Sequence, residues 1–308
     1  MASVLSSQPT FMMIEESSQS EIPYTDEAVS LWIKEKDVIR ASTNLSILHT
    51  LEPGIYRVDY NREDGHYCMK INSISDELTV FSDSITSSII NEINDFWEKK
   101  DIYEQNKLVH KRGILLQGFP GTGKTSIISL VCKDLIKKGG VVFKISGVRN
   151  LSIYIDFILY GFRKIQPDTP LITIIEDIDN YGDAEDDILD FLDGKTNINH
   201  HIVIATTNNS EEIPDSFLRP SRIDLVIEVP LPCEETRREY FKFKNVPDKD
   251  IERLVTQSKN FSLADLKEFY ILIYVLNYSE EDAFKKITSP REKKNYSNFP
   301  NRKSSIAI

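Results

Sequence analysis

Eight consecutive residues, Gly118-Phe119-Pro120-Gly121-Thr122-Gly123-Lys124-Thr125, limit this chain to folds that set a glycine-rich turn between a strand and a helix. The stretch Gly113 to Leu116 before them reads as the strand, and Ile127, Ile128, Leu130 and Val131 after them as the buried face of the helix. Glycine at 118, 121 and 123 lets the backbone turn tightly and bring successive N–H groups onto an anion, which side chains there would obstruct. The helix that follows presents the positive end of its dipole to the same point. Lys124 is placed to reach β and γ phosphates, and the Thr125 hydroxyl to ligate magnesium. The expected ligand is a nucleoside triphosphate with Mg2+, held by Gly118, Pro120, Gly121, Thr122, Gly123, Lys124, Thr125 and Ser126.

The 308 residues are enough for a P-loop domain and one or two smaller units, at 40% hydrophobic and 28% charged content. No apolar run approaches the ~18 residues of a membrane span, and Met1 to Phe11 lacks the layout of a secretory signal, so a cytoplasmic location with no membrane partner is expected. Cys68, Cys132 and Cys233 are scattered and read as reduced, structural thiols. The His200-His201 pair and Cys68 near His66 have no further ligands close by in sequence, which argues against a metal site at either place. A net charge of −11 disfavours a nucleic-acid partner. The tail from Ser289 to Ile308 is locally basic, with five Lys and Arg against Glu292 alone, and reads as a disordered terminus.

Along the chain, residues 1–43 read as a flexible segment with a short amphipathic helix over Glu27 to Arg40, its apolar face made by Val29, Trp32, Ile33 and Val38. Residues 44–83 read as a small β-rich module. Ile55 to Tyr60 and Tyr67 to Ile71 alternate as a hairpin, with Glu77 to Phe81 as a third strand. Residues 84–232 open with a helix over Ile85 to Lys99. They then alternate strand and helix through Val141–Ile145, Ile153–Ile165, Leu171–Ile175, Ile188–Leu192, Ile202–Ala205 and Leu225–Val229. Such alternation predicts an α/β fold, a parallel sheet with helices on both faces. Residues 233–288 read as a helical lid with helices at Glu235–Lys242, Ile251–Gln257, Ala264–Leu276 and Glu280–Ile287, and 289–308 as the basic tail.

Two further motifs accompany the loop. The apolar run Leu171 to Ile175 ends in Glu176-Asp177-Ile178-Asp179, acids that belong beside a P-loop at the carboxyl end of a parallel strand. A later strand ends in Thr206-Thr207-Asn208-Asn209, and Leu218-Arg219-Pro220-Ser221-Arg222 follows it. With all three motifs in order from about Lys111 to Ile287, the chain resembles the AAA ATPase family. Lys111 to Leu116, the Glu-Asp order of Glu176-Asp177, and Leu189 to Gly194 are most similar to its mitochondrial branch of chaperones that translocate the Rieske protein, without that branch's membrane span.

The resemblance implies ATP and Mg2+ as cofactors and a role for each matching residue. Thr125 and Glu176 would hold the metal, Asp177 would orient the attacking water, and Asn208 would sense the γ phosphate. Arg219 and Arg222 would act in trans on a neighbouring subunit's nucleotide, which implies a homo-oligomeric ring, remodelling a protein substrate that the sequence does not identify. Three departures qualify the likeness. Asp177 is one methylene shorter than the family's Glu. Ser146 to Leu151 lacks the aromatic loop of threading members, and Leu263 replaces Gly in Ser262-Leu263-Ala264-Asp265-Leu266. These departures keep open an alternative, a nucleotide-gated assembly factor for replication or packaging with slow hydrolysis.

Overall fold

The computed structural model describes residues 32–35, 38–41, 47–61, 65–71, 84–145, 151–180, 185–193 and 198–292. Contacts divide the chain into one unit of Met1–Leu78, Ser88–Gly118 and Lys124–Glu228, and a second of Thr79–Ser87, Phe119–Gly123 and Val229–Ile308.

The first unit is built on a ten-stranded sheet. Its strands are β1 (Trp32–Glu35), β2 (Val38–Ala41), β3 (Ile47–Leu48), β4 (Gly54–Asn61), β5 (Gly65–Ile71), β6 (Lys111–Gln117), β7 (Val141–Ile145), β8 (Leu171–Ile175), β9 (His201–Thr207) and β10 (Leu225–Glu228). The order across the sheet is β10-β6-β9-β8-β7-β4-β5-β2-β1-β3. Pairing is parallel from β10 to β4 and antiparallel beyond it. The register pairs Lys111 with His201 and Ile175 with Ala205, so the carboxyl ends of β6, β8 and β9 lie side by side. β8 is a continuous apolar run buried at every position, as a central strand covered on both sides must be. Helix α3 (Lys124–Lys137) buries Ile127, Ile128, Val131, Cys132 and Leu135, one stripe at helical spacing. Phe143 of β7 anchors the core, with Phe157, Phe162 and Tyr154 edge-on to it at 5.1–6.1 Å between ring centroids.

Two expectations from sequence change here. The hairpin β4–β5 is part of the first unit's sheet, because β4 pairs in parallel with β7 from Gly54 opposite Val141 to Arg57 opposite Lys144. Tyr56, fully buried, packs its ring 6.1 Å from Phe143. Residues 32–35 and 38–41 form an antiparallel pair of strands, with Glu35 opposite Val38, where an amphipathic helix is expected. Trp32, Ile33, Val38 and Ile39 favour a pleated surface once β2 can pair with β5, and that long-range partner overrides a weak helical period. The expected strand at Glu77 to Phe81, the segment Ser146 to Asn150, and the tail beyond Glu292 lie outside the described residues.

The second unit holds α7 (Glu234–Phe243), α8 (Asp248–Gln257), α9 (Leu263–Tyr270) continued by a π-helical turn (Ile271–Val275), and α10 (Glu280–Glu292). The first unit's remaining helices are α2 (Lys100–Gln105), α4 (Leu151–Asp156), α5 (Arg163–Ile165) and α6 (Glu185–Leu192), while α1 (Ser84–Glu98) runs from the second unit into the first. The four C-terminal helices close on a separate core of Tyr240, Phe241, Leu254, Leu266 and Phe269. Arg237 is drawn into this core and satisfied by the carbonyls of Pro232 and Val255. Among the described residues, no helix is long and apolar enough to cross a membrane.

Candidate nucleotide-binding site

The loop that joins β6 to α3 is shaped by its own atoms. Thr122, 4% exposed, donates both its N–H (3.4 Å) and its hydroxyl (2.9 Å) to the Phe119 carbonyl. Gly121 and Gly123 flank it at φ +79° and +107°, conformations that a side chain would strain.

The first unit supplies the side-chain machinery. Lys124 opens α3 with only 7% of its surface exposed, and its Nζ donates to the Gly118 carbonyl (2.7 Å) and to Asn208 Oδ1 (2.8 Å). The Asn208 amide in turn donates to Asp177 Oδ1 at 3.0 Å. Three residues assigned to the site from separate motifs therefore form one hydrogen-bonded row across the ends of β6, β8 and β9. Burial lowers the Lys124 pKa from the usual lysine range, and the charges of Asp177 and Asp179 oppose that shift. Asp177 has left-handed backbone, φ +50°, and its N–H donates to Thr206 Oγ1 at 3.0 Å.

Glu176 leaves that row. Its carboxylate pairs with Lys144 of β7 at 2.5 Å, each side chain about one third exposed. Sequence reasoning missed Lys144, which lies 32 positions away along the chain and reaches Glu176 only because β7 and β8 pair in register. Asp179 is a second omission. Its Oδ1 is buried and has no hydrogen-bond partner among the described residues. The carboxylates of Glu176, Asp177 and Asp179 and the Thr125 hydroxyl are the oxygen donors that Mg2+ takes, although among the described residues no three acidic, histidine or cysteine side chains are gathered closely enough to hold a metal ion.

The two arginines, equivalent in sequence, differ in surroundings. Arg222 forms a two-pronged ion pair with Asp193, and its Nη1 donates to the Ser216 carbonyl at 2.6 Å. Its backbone presses on Gly113, where an added Cβ would lie 1.8 Å from the Arg222 oxygen. Asp224 locks the same corner by accepting the N–H groups of Gly113 (2.9 Å) and Ser221 (2.8 Å). Arg219 is exposed, and its side chain makes no hydrogen bond or ion pair among the described residues.

The histidine pair lies at the other end of the sheet and is taken up by structure. His201 Nε2 bonds Thr173 Oγ1, which bonds the Tyr154 hydroxyl, each at 2.8 Å. His110 Nε2 donates to the Phe96 carbonyl (2.8 Å), so its Nδ1 accepts from His200 Nδ1 at 2.9 Å. His110 also stacks on Phe96 with 3.9 Å between ring centroids.

Comparison with known proteins bears on the family of the chain. Residues 114–231 match the model of the ATPase family associated with various cellular activities (AAA). A proteasome-activating nucleotidase of Aeropyrum pernix is 32% identical over 180 residues, 51% of this chain and 43% of that protein. An ATP-dependent zinc metalloprotease FtsH of Nitrosococcus oceani is 31% identical over 50% of this chain and 28% of its own length. A putative cell division cycle ATPase of Plasmodium falciparum is 28% identical over 61% of this chain and 18% of its length. The chain thus spans less than half the length of these relatives. Sequence motifs and family match converge on one statement: residues 114–231 match the ATPase domain of the AAA family.

Proposed function

We propose that this chain binds ATP and Mg2+ at the P-loop, hydrolyses ATP between adjacent copies of itself in a ring, and uses the cycle to remodel a protein partner. The observation that carries the reading is the row Lys124–Asn208–Asp177, which ties a phosphate-binding cation to the acid placed to orient water. Loop N–H groups and Lys124 hold the phosphates. Thr125 and Glu176 would hold the metal, Glu176 giving up its ion pair with Lys144 to do so. Magnesium, when bound, neutralises charge on the phosphate oxygens. Asp177 accepts the proton of the attacking water, and Asn208 keeps that carboxylate and Lys124 at fixed separation.

Arg219 supports the ring. It is exposed and free to reach a nucleotide held by a neighbour, where an arginine contributes ~10³–10⁵ in rate. Arg222, tied to Asp193, serves as its support. The motif likeness of Lys111 to Leu116 and Glu176-Asp177 to the Rieske-translocating chaperone branch supports a remodelling role for the chain.

Turnover per subunit measured across a dilution series tests the proposal. It should fall as the assembly dissociates, and mixing Arg219→Ala with Asp177→Asn subunits should restore part of it. Constant turnover down to monomer would defeat the trans arrangement. The shorter acid at Asp177 favours a second reading, a nucleotide-gated assembly factor, and undetectable turnover with intact ATP binding would select it.

A further inference from the structure

We propose that Leu263 is a positioning residue for nucleotide binding, a brace that holds the phosphate-binding loop in its binding shape; the inference rests on the ATP reading above. Two independent contacts, both inside the second unit, carry it. The Ala264 N–H donates to the Gly121 carbonyl at 3.1 Å, so a first-turn donor of α9 that the helix cannot satisfy itself is satisfied by the loop. One residue earlier, the Leu263 side chain lies over Gly123, with Cδ1 only 2.9 Å from where a Cβ on that glycine would stand. Gly121 is enclosed in the same way, since a Cβ there would lie 2.8 Å from both Ala264 Cβ and Ser262 Oγ.

The brace is itself fixed. Ser262, 3% exposed, caps α9 by accepting the Asp265 N–H (3.2 Å), while Asp265 Oδ2 accepts the Ser262 N–H (2.7 Å) and hydroxyl (2.6 Å). A capping box of this kind leaves the first turn little freedom to swing, so Leu263 and Ala264 arrive at the loop with set positions.

The physical need for a brace follows from the glycines. Residues of this type lose the most conformational freedom on ordering, and the loop must be ordered before its N–H groups can converge on phosphate. Both contacts are made between protein atoms, so they order Gly121 and Gly123 without drawing on the ligand. Affinity rises by whatever ordering the ligand no longer has to supply. The resembling motif has glycine where this chain has Leu263, so this part of the brace is a property of this sequence.

The test is stopped-flow binding of a fluorescent ADP derivative with Mg2+ to the full chain, alongside ATP kinetics and melting temperature. Leu263→Gly should weaken binding by about tenfold, chiefly through faster dissociation, and raise KM with kcat within about twofold. Leu263→Met should restore affinity, and Leu263→Ala should fall between. The Ala variant also decides the matter if the Gly variant does not fold. Affinity of both small variants within about twofold of the unaltered chain, or a loss confined to kcat, overturns the brace alone. Failure of the unaltered chain to bind the ADP derivative overturns the ATP reading and the brace with it.

Discussion

Asn208 joins Lys124 to Asp177, accepting from the lysine at 2.8 Å and donating to the carboxylate at 3.0 Å. On the function proposed above, the asparagine would transmit the position of the phosphate-binding cation to the acid that handles water. Asn208→Ala should lower kcat by about 10- to 100-fold while KM for ATP moves little, since the loop and Lys124 remain. Lys124→Ala should abolish nucleotide binding, seen as loss of fluorescent ADP binding.

Asp177 sits at φ +50° with its N–H held by Thr206. Asp and Asn tolerate left-handed backbone better than Glu, because a short polar side chain can bond locally. The backbone thus gives a reason for the shorter acid at this position. Asp177→Asn should bind ATP normally and lose turnover, read by phosphate release. Asp177→Glu should gain little turnover and lower stability by about 1 kcal/mol, read by chemical denaturation.

Arg219 and Arg222 should separate cleanly by experiment. Arg219→Ala should leave the melting temperature and ATP affinity unchanged and remove turnover. Arg222→Ala removes the ion pair to Asp193 and the hydrogen bond to the Ser216 carbonyl, so it should lower the melting temperature as well as turnover. Equal thermal behaviour of the two variants would contradict the support role of Arg222.

Lys144 competes with any cation for Glu176. Lys144→Met should strengthen Mg2+-dependent nucleotide binding several-fold, read by calorimetric titration at fixed nucleotide. A weaker response to Mg2+ would show instead that Lys144 assists the site.

Acid should destabilise the fold through His200. Burial first, then the charges of His110, Lys100 and Arg163, lower its pKa to about 4 from the usual 6.5. Between those values the unfolded chain binds a proton that the folded chain does not. The neutral-His contribution is therefore complete above pH 6.5 and lost as pH falls toward 4. The loss across that window should be roughly 1–3 kcal/mol. His200→Asn, which tolerates the φ of +58° there, should flatten the dependence of stability on pH between 5 and 7.

Much of this was legible in the chain because the signals are local. The eight-residue loop, the apolar run of β8 ending in acids, and the four C-terminal helices each declare themselves within a dozen residues. The row Lys124–Asn208–Asp177 was legible as three separate assignments, though not as a connected one. What escaped depends on partners distant in sequence. Lys144 reaches Glu176 through strand register, Asp177 takes its conformation from Thr206, and Leu263 finds Gly123 only in space. Strand pairing likewise decided Trp32 to Glu35, whose local period suggested a helix.

The pairing of β4 with β7 bears on how the ATPase domain can be handled in isolation. Val141, Val142 and Phe143 are fully buried, and β4 supplies the hydrogen bonds along one margin of their strand. A truncation beginning at the P-loop would turn that margin into an open, apolar, β-branched edge, the kind of surface that recruits a strand from another molecule. Insolubility of such a fragment would then report a missing neighbour in the sheet rather than a weak domain, and adding back residues from Leu51 onward should cure it.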